Sequence, residues 1–200
     1  MIKTLKRNDG TEIVNSAEIL EETANYYEHL YKRNDLVTDN HYNFFFQNHI
    51  PKLSDEQNKT ISEPILKTEI YNALKSMDDN KTPGSDGLTK QFYEHFWNFI
   101  IEPLFNSYSY SLGQGYLSLE QRRGIIRLIP KKDKDLMLLK NWRPISLQNI
   151  DTKLLSLSIA KRFQKVLPDI IESDQNGFLK DRFIGYNICL LYTSPSPRDS

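Results

Sequence analysis

Between Gly124 and Leu147 the chain stops reading as helix, and that interruption constrains its fold more than any other feature. Gly124-Ile-Ile-Arg-Leu-Ile-Pro130 and Trp142-Arg-Pro-Ile-Ser-Leu147 read as two short strands separated by the charged stretch Lys131 to Asn141. Consecutive strands of this kind predict an antiparallel hairpin. Pro144 has no amide hydrogen, so its strand must be an edge or turn Pro144 away from its partner. Side chains alternate along a strand. Ile125, Arg127, Ile129 and Lys131 therefore share one face, and Arg143 points opposite to Trp142.

The flanks are helical. Residues 17–31 place Ile19, Ala24, Tyr27, Leu30 and Tyr31 near helical spacing, with Asn15 or Ser16 as the cap. A second helix opens over Asn40 to Phe46 and closes by Pro51. Thr68 caps Glu69 to Met77, where Ile70, Ala73, Leu74 and Met77 recur at i, i+3, i+4, i+7. Asp78 to Leu88 reads as loop, with Asn80, Pro83, Gly84 and Gly87. Thr89 then caps a long aromatic helix with the stripe Phe92, Phe96, Phe99, Ile100 and Leu104, bent at Pro103. Asp151 caps a helix running to Leu167 and stopped by Pro168. Its inward residues are Leu154, Leu155, Ile159, Phe163 and Val166, and its outward ones Lys153, Lys161, Arg162 and Lys165. Residues 173–188 form a loop segment around Gln175, Gly177 and Phe178. Helices, a basic hairpin and a basic helix imply an α+β fold.

Charge is unevenly spread. The 200 residues carry 26 Lys+Arg and 26 Asp+Glu, a formal net charge of zero. Residues 121–165 nevertheless hold 12 basic side chains against 3 acidic, while residues 1–80 hold 9 against 14. A 45-residue block with that excess is a candidate polyanion surface, or else a solvated lysine-rich face. No run approaches 18 apolar residues and mean hydropathy is −0.58, which argues against a membrane span. The first residues have no apolar segment behind their charges, so they do not read as a signal peptide. The single cysteine, Cys189, offers neither an internal disulfide nor a zinc framework. His29, His41, His49 and His95 lack metal-ligand spacing.

The end of the chain reads differently from the rest. Cys189-Leu-Leu-Tyr-Thr-Ser-Pro-Ser-Pro-Arg-Asp-Ser200 resembles a translated sequencing-library adaptor, and Ser-Pro-Ser-Pro breaks regular structure. Residues 189–200 are accordingly expected to be disordered and artefactual, with the genuine chain stopping near Ile188.

Four segments resemble one family in order and spacing. They are Lys81-Thr-Pro-Gly-Ser-Asp-Gly-Leu88, Ile129-Pro-Lys-Lys-Asp133, Asn141-Trp-Arg-Pro-Ile-Ser-Leu147, and Asp174-Gln-Asn-Gly-Phe178 followed by Arg182-Phe-Ile-Gly185. Together they resemble the front half of the reverse transcriptase domain of LINE-type (non-LTR) retrotransposons. The Gly10 neighbourhood and Tyr26-Tyr-Glu-His-Leu-Tyr31 are similar to the linker preceding that domain. The resemblance implies a helical extension over 1–62, then polymerase fingers and the beginning of the palm over 63–188. It implies RNA-directed DNA synthesis in the cytoplasm and nucleus, with an RNA template, a DNA primer, deoxynucleoside triphosphates and Mg2+ as partners, and no membrane.

Residue roles follow from the same resemblance. Arg143 and Lys131, with Lys132 as the fallback, would contact the incoming triphosphate. Gln175, Phe178 and Arg182 would contact the template, and the basic block 121–165 adds Arg127 and Lys161 as further candidate template contacts. Phosphoryl transfer rests on positioning and charge stabilisation, which a forked guanidinium and a lysine point charge can both supply. A solvent-facing basic hairpin with Trp142 as core filler, and Phe178 as a core plug, are the plain alternatives. Pro83-Gly84-Ser85-Asp86-Gly87 reads as a tight turn with Asp86 bonding local backbone. The aspartates that hold two metal ions in this family belong to later motifs, so no catalytic or metal residue is expected here and the chain alone should be inactive. Asp78-Asp79 precedes the hairpin and follows Ser76-Met77, which does not fit the metal-binding turn. A non-catalytic nucleic-acid-binding module, or a translated remnant without a role, is the alternative.

Overall fold

The computed structural model describes residues 2–7, 9–32, 51–172, 174–177, 179–183 and 185. The helix expected over Asn40 to Phe46, Phe178 and the residues after 185 lie outside them. The fold is α+β, with helices and two separate two-stranded antiparallel sheets. Two compact units emerge. One joins residues 1–47 to 124–148, and the other joins 48–123 to 149–200.

In the first unit, β1 (Leu5–Lys6) and β2 (Glu12–Ile13) pair with Leu5 opposite Ile13. The turn between them uses Gly10 at φ +91°, a left-handed conformation that a side chain would strain. Helix α1 (Ser16–Tyr31) follows, capped by Asn15, whose side-chain oxygen accepts from the amides of Ala17 and Glu18. Only Ile19 and Tyr27 of the expected stripe are buried; Ala24, Leu30 and Tyr31 are exposed. A short, two-stranded partner covers a narrower stripe than a full helical face offers. The hairpin arrives as β3 (Gly124–Pro130) and β4 (Trp142–Gln148) in register over seven pairs, from Gly124↔Gln148 to Pro130↔Trp142. Among the described residues β3 and β4 pair only with each other, so both are edges, which satisfies Pro144. Leu5, Ile13, Ile19 and Leu139 form the core of this unit, with Tyr26 and Leu128 packed against it. The amide of Lys6 donates to the carbonyl of Met137 at 2.8 Å, tying β1 to the hairpin's connection.

The second unit is helical. It comprises α2 (Asp55–Ser62), α3 (Lys67–Ser76), α4 (Lys90–His95), α5 (Trp97–Gln114), α6 (Leu119–Arg122), α7 (Ile150–Phe163) and α8 (Leu167–Ile170). Ile70, Ala73 and Leu74 of α3 are fully buried against Leu154 and Leu155 of α7, Tyr93 of α4, and Leu104 and Tyr108 of α5. Each buried Ile or Leu side chain contributes about 1.5–3 kcal/mol.

Several sequence expectations are corrected here. Helix α3 starts at Lys67, and Thr68 does not cap it; Leu66 stands at the cap and Glu69 reaches back to its amide at 2.8 Å. The long aromatic helix is broken into two at Phe96 (φ −99°, ψ 16°), and Pro103 sits inside the second of them, α5. Thr89 does cap α4. Of the expected stripe, Leu104 is buried and Ile100 packs on the core, whereas Phe92, Phe96 and Phe99 are exposed and Tyr93 and Tyr108 are buried in their place. Helix α7 ends at Phe163; its cap position is Asn149, with Asp151 in the first turn. Pro168 opens α8 instead of stopping α7, because its missing amide hydrogen is harmless in a first helical turn. Phe163 is exposed, whereas Arg162, expected outside, is buried.

Candidate nucleic-acid interface

The register of the hairpin decides which side chains stand together. Arg127 faces Ile145, Ile129 faces Arg143, and Ile125 faces Leu147. These six residues share one face, and Arg127 and Arg143 are diagonal neighbours, roughly 7–8 Å apart. The other face carries Ile126, Leu128, Pro144 and Trp142. Leu128 packs on the core there, and Trp142 donates its indole N–H to the carbonyl of Leu136 at 2.9 Å. Arg143 thus points opposite to Trp142, as alternation requires.

The arginine face is open. Arg127 and Arg143 are exposed, as are Ile125, Ile129 and Ile145. Among the described residues, no carboxylate pairs with either arginine. Elsewhere guanidinium groups are engaged: Arg7 pairs with Glu18 and Glu22, Arg123 with Glu120, and Arg162 with Glu69. Two like charges held side by side without a counter-ion repel, and a polyanion relieves that repulsion.

Lys131 extends the same face. Its amide donates to the Asn141 carbonyl at 2.9 Å, continuing the ladder, and its Nζ donates to the Lys140 carbonyl at 2.7 Å. That bond orients the ammonium and leaves two of its N–H groups for another acceptor. Lys132 is exposed beyond the strand. The connection is braced internally: Asn141 Nδ2 donates to the Asp135 carbonyl at 2.7 Å, and Asp135 Oδ1 accepts from the Met137 amide at 2.9 Å.

The remaining expected contacts lie in the second unit and are more occupied. Lys161 donates from Nζ to the Asn72 carbonyl at 2.8 Å. Arg182 spreads its guanidinium over the carbonyls of Glu172, Gln175, Pro168 and Ile171, closing the loop that contains Gln175. Gln175 keeps an exposed side chain. Phe178 lies outside the described residues.

Sequence reasoning missed two anchors. Arg162 bonds Glu69 through Nε at 2.7 Å and Nη2 at 2.5 Å, and also reaches the carbonyls of Ile61, Glu63 and Pro64. The guanidinium holds the Glu69 carboxyl below its ordinary range. Asn149 is buried and its Oδ1 accepts from the Ser85 hydroxyl at 3.2 Å and the Asp86 amide at 3.4 Å. The 81–88 loop is thereby fixed to the start of α7, while Asp86 Oδ1 accepts from the Leu88 amide at 3.0 Å. Burial raises the hydroxyls of Tyr93 and Tyr108 well above the usual tyrosine range, and Tyr108 donates to the Asp151 carbonyl at 2.5 Å. Neither tyrosine is placed to titrate near neutrality.

Among the described residues, no group of three or more His, Cys, Asp or Glu is arranged to hold a metal ion, and no helix is long and apolar enough to cross a membrane. Asp79 is tied to Lys90 at 2.7 Å and Asp78 to Lys81 at 3.5 Å.

No protein-family profile matches the chain. It is 32% identical over 190 residues to the "Transposon TX1 uncharacterized 149 kDa protein" of Xenopus laevis, an alignment covering 95% of this chain and 14% of that protein. The chain therefore corresponds to a small part of that relative's length. Along nearly all of its own length it is related to a stretch of a transposon protein.

Proposed function

We propose that the chain is the fingers and first part of the palm of a LINE-type retrotransposon reverse transcriptase, an RNA-directed DNA polymerase. The carrying observation is the pair of exposed, unpaired arginines, Arg127 and Arg143, on one face of the hairpin. The ordered family-like motifs and the relationship to a transposon protein support the same reading. Arg143, with Lys131 beside it and Lys132 next in the chain, binds the incoming triphosphate. Arg127 holds template phosphates, with Lys161, Gln175, Phe178 and Arg182 contributing along the strand. Residues 1–62 precede the polymerase domain and 63–188 begin it.

The chain's own residues bind and orient. Guanidinium forks hold phosphate oxygens in two parallel bonds, restricting how a triphosphate can sit, and lysine adds charge without direction. Magnesium would stabilise the attacking and leaving oxygens in a complete enzyme. The described residues do not fit that ion, since the acidic pair Asp78 and Asp79 is already engaged by lysines.

The test is single-nucleotide incorporation on a primed RNA template, using this chain joined to the downstream part of a related transposon protein. Arg143→Ala should lower incorporation efficiency roughly ten- to hundredfold, the loss of a charge-assisted contact of about 1.5–3 kcal/mol. Arg143→Lys should recover part of it. An unimpaired Arg143→Ala chimera refutes the assignment, and synthesis by the unextended chain refutes its dependence on downstream residues.

A further inference from the structure

A cleft of about 350 Å³ lies within the first unit, and none of the six residues of the arginine face lines it. One wall is α1, where Asn25, Tyr26 and His29 fall on a single helical face at i, i+1 and i+4. The opposite wall is Lys6 of β1 with Leu138 and Lys140 of the hairpin's connection. These two segments are locked together by the bond from the Lys6 amide to the Met137 carbonyl, so the wall is built, not incidental.

Its chemistry is divided. Tyr26 and Leu138 are apolar walls, and the Tyr26 ring is held edge-on by Tyr27, with centroids 5.1 Å apart and planes at 90°. Lys6 and Lys140 are exposed, and neither has a carboxylate partner among the described residues. Glu22, the acidic residue at the cleft, is already taken by Arg7 at 3.3 Å. The remaining charge in the cleft is positive. A ligand that satisfies both halves carries a flat apolar ring and an anionic group.

We propose that this cleft binds a nucleoside phosphate, free or as one unit of a single strand, with the base against Tyr26 and Leu138 and the phosphate between Lys6 and Lys140. Asn25 and His29 supply polar contacts to the base or sugar. Its volume falls within the range of small-ligand pockets, and aromatic stacking with flanking lysines is the general chemistry of single-strand binding. This site is separate from the hairpin's arginine face and stands whether or not the chain belongs to a polymerase.

The experiment uses the full chain and an octauridylate carrying 4-thiouridine, cross-linked by light and mapped after trypsin. Helix α1 contains no Lys or Arg, so the cleft's helical wall falls in one tryptic peptide, residues 8–32. A cross-link in that peptide is expected, surviving Arg127→Glu with Arg143→Glu and lost in Lys6→Glu with Lys140→Glu. The lysine reversals should weaken binding about three- to tenfold each and flatten the salt dependence by about one phosphate contact each. Tyr26→Leu, which keeps the core filled, should lose the cross-link while retaining the fold by circular dichroism. Displacement by uridine monophosphate identifies a free-nucleotide site, and cross-linking without such displacement identifies a strand site. Both outcomes support the proposal. Cross-links confined to hairpin peptides, or equal displacement by inorganic phosphate, overturn it. Neither of those results bears on the incorporation assay of the chimera, so the two readings fail separately.

Discussion

Arg162 of α7 forks onto Glu69 of α3 and, with the same guanidinium, closes the carbonyls of Ile61, Glu63 and Pro64. Its side chain is 10% exposed and that of Glu69 is 25% exposed, so the pair is largely shielded from water. One side chain therefore fastens three stretches of the second unit: α7, α3 and the segment between α2 and α3. Removing it strands a carboxylate and several carbonyls. Arg162→Ala should destabilise the chain by about 3 kcal/mol, the low end for breaking a buried pair. Arg162→Lys should recover less than half, since an ammonium cannot reach all those acceptors. Urea unfolding measures both, and an Arg162→Ala midpoint equal to wild type would contradict the role.

Acid should loosen the same contact. The Glu69 carboxyl is held below its ordinary range, first by the hydrogen bonds from Arg162. A folded-state value below the unfolded one means the unfolded chain binds the proton more readily. The stabilisation is present above the unfolded value near 4.5 and is lost as pH falls through the lower folded value. Glu69→Gln should flatten that part of the stability–pH curve below about pH 4.5. Thermal melts of both proteins between neutral and acid pH report it; parallel curves would discard Glu69 as the titrating group.

Asn149 should govern the order of the 81–88 loop. Its Oδ1 serves the Ser85 hydroxyl and the Asp86 amide from a buried position. Asn149→Ala removes the one oxygen that both donors share and leaves the Asp86 amide unsatisfied, at a cost of about 1–3 kcal/mol. Hydrogen exchange should rise locally at Asp86 and Gly87, with little change in α5. Unchanged protection at Asp86 would show that the loop is held by other means.

The hairpin face should bind single-stranded RNA in a strongly salt-dependent way. If Arg127, Arg143, Lys131 and Lys132 each neutralise a phosphate, affinity should fall about fiftyfold between 50 and 200 mM salt. Reversing Arg127 and Arg143 to Glu should weaken binding similarly for unrelated sequences, because phosphate contacts carry no base information. Filter binding across salt concentrations tests this. A flat salt curve for the unaltered chain would remove the phosphates from the account.

The hairpin was legible because its information is local. Alternation alone puts Arg127 with Ile125, Ile129 and Lys131 and turns Arg143 away from Trp142, while the register, which a one-residue slip would invert, is what brings Arg143 beside Arg127. Helix α7 shows the opposite case. Counting apolar residues selects Ile159 and Phe163 as its inner face, yet the buried stripe runs Ile150, Leu154, Ser158 and Arg162 at i, i+4, i+8, i+12. A serine at 1% exposure and a buried arginine belong there because their partners exist: Ser158 donates to the Leu154 carbonyl and Arg162 meets Glu69, 93 residues away. No periodicity encodes a partner at that distance. The aromatic helix failed for a related reason. The break at Phe96 resets the phase between α4 and α5, so one continuous stripe cannot hold: Ile100 and Leu104 face the core as expected, but with Tyr93 and Tyr108 and not with Phe92, Phe96 and Phe99.

The bond between the Lys6 amide and the Met137 carbonyl joins the start of the chain to a segment made much later. On a ribosome adding about 5–20 residues per second, β1 waits on the order of ten seconds before its partner segment exists. Throughout that interval Leu5, Ile13 and Ile19 have no Leu139 to bury against. β1, β2 and α1 are thus made well before the segment that completes their packing, which leaves their apolar side chains open to chaperones and proteases on the nascent chain for that interval.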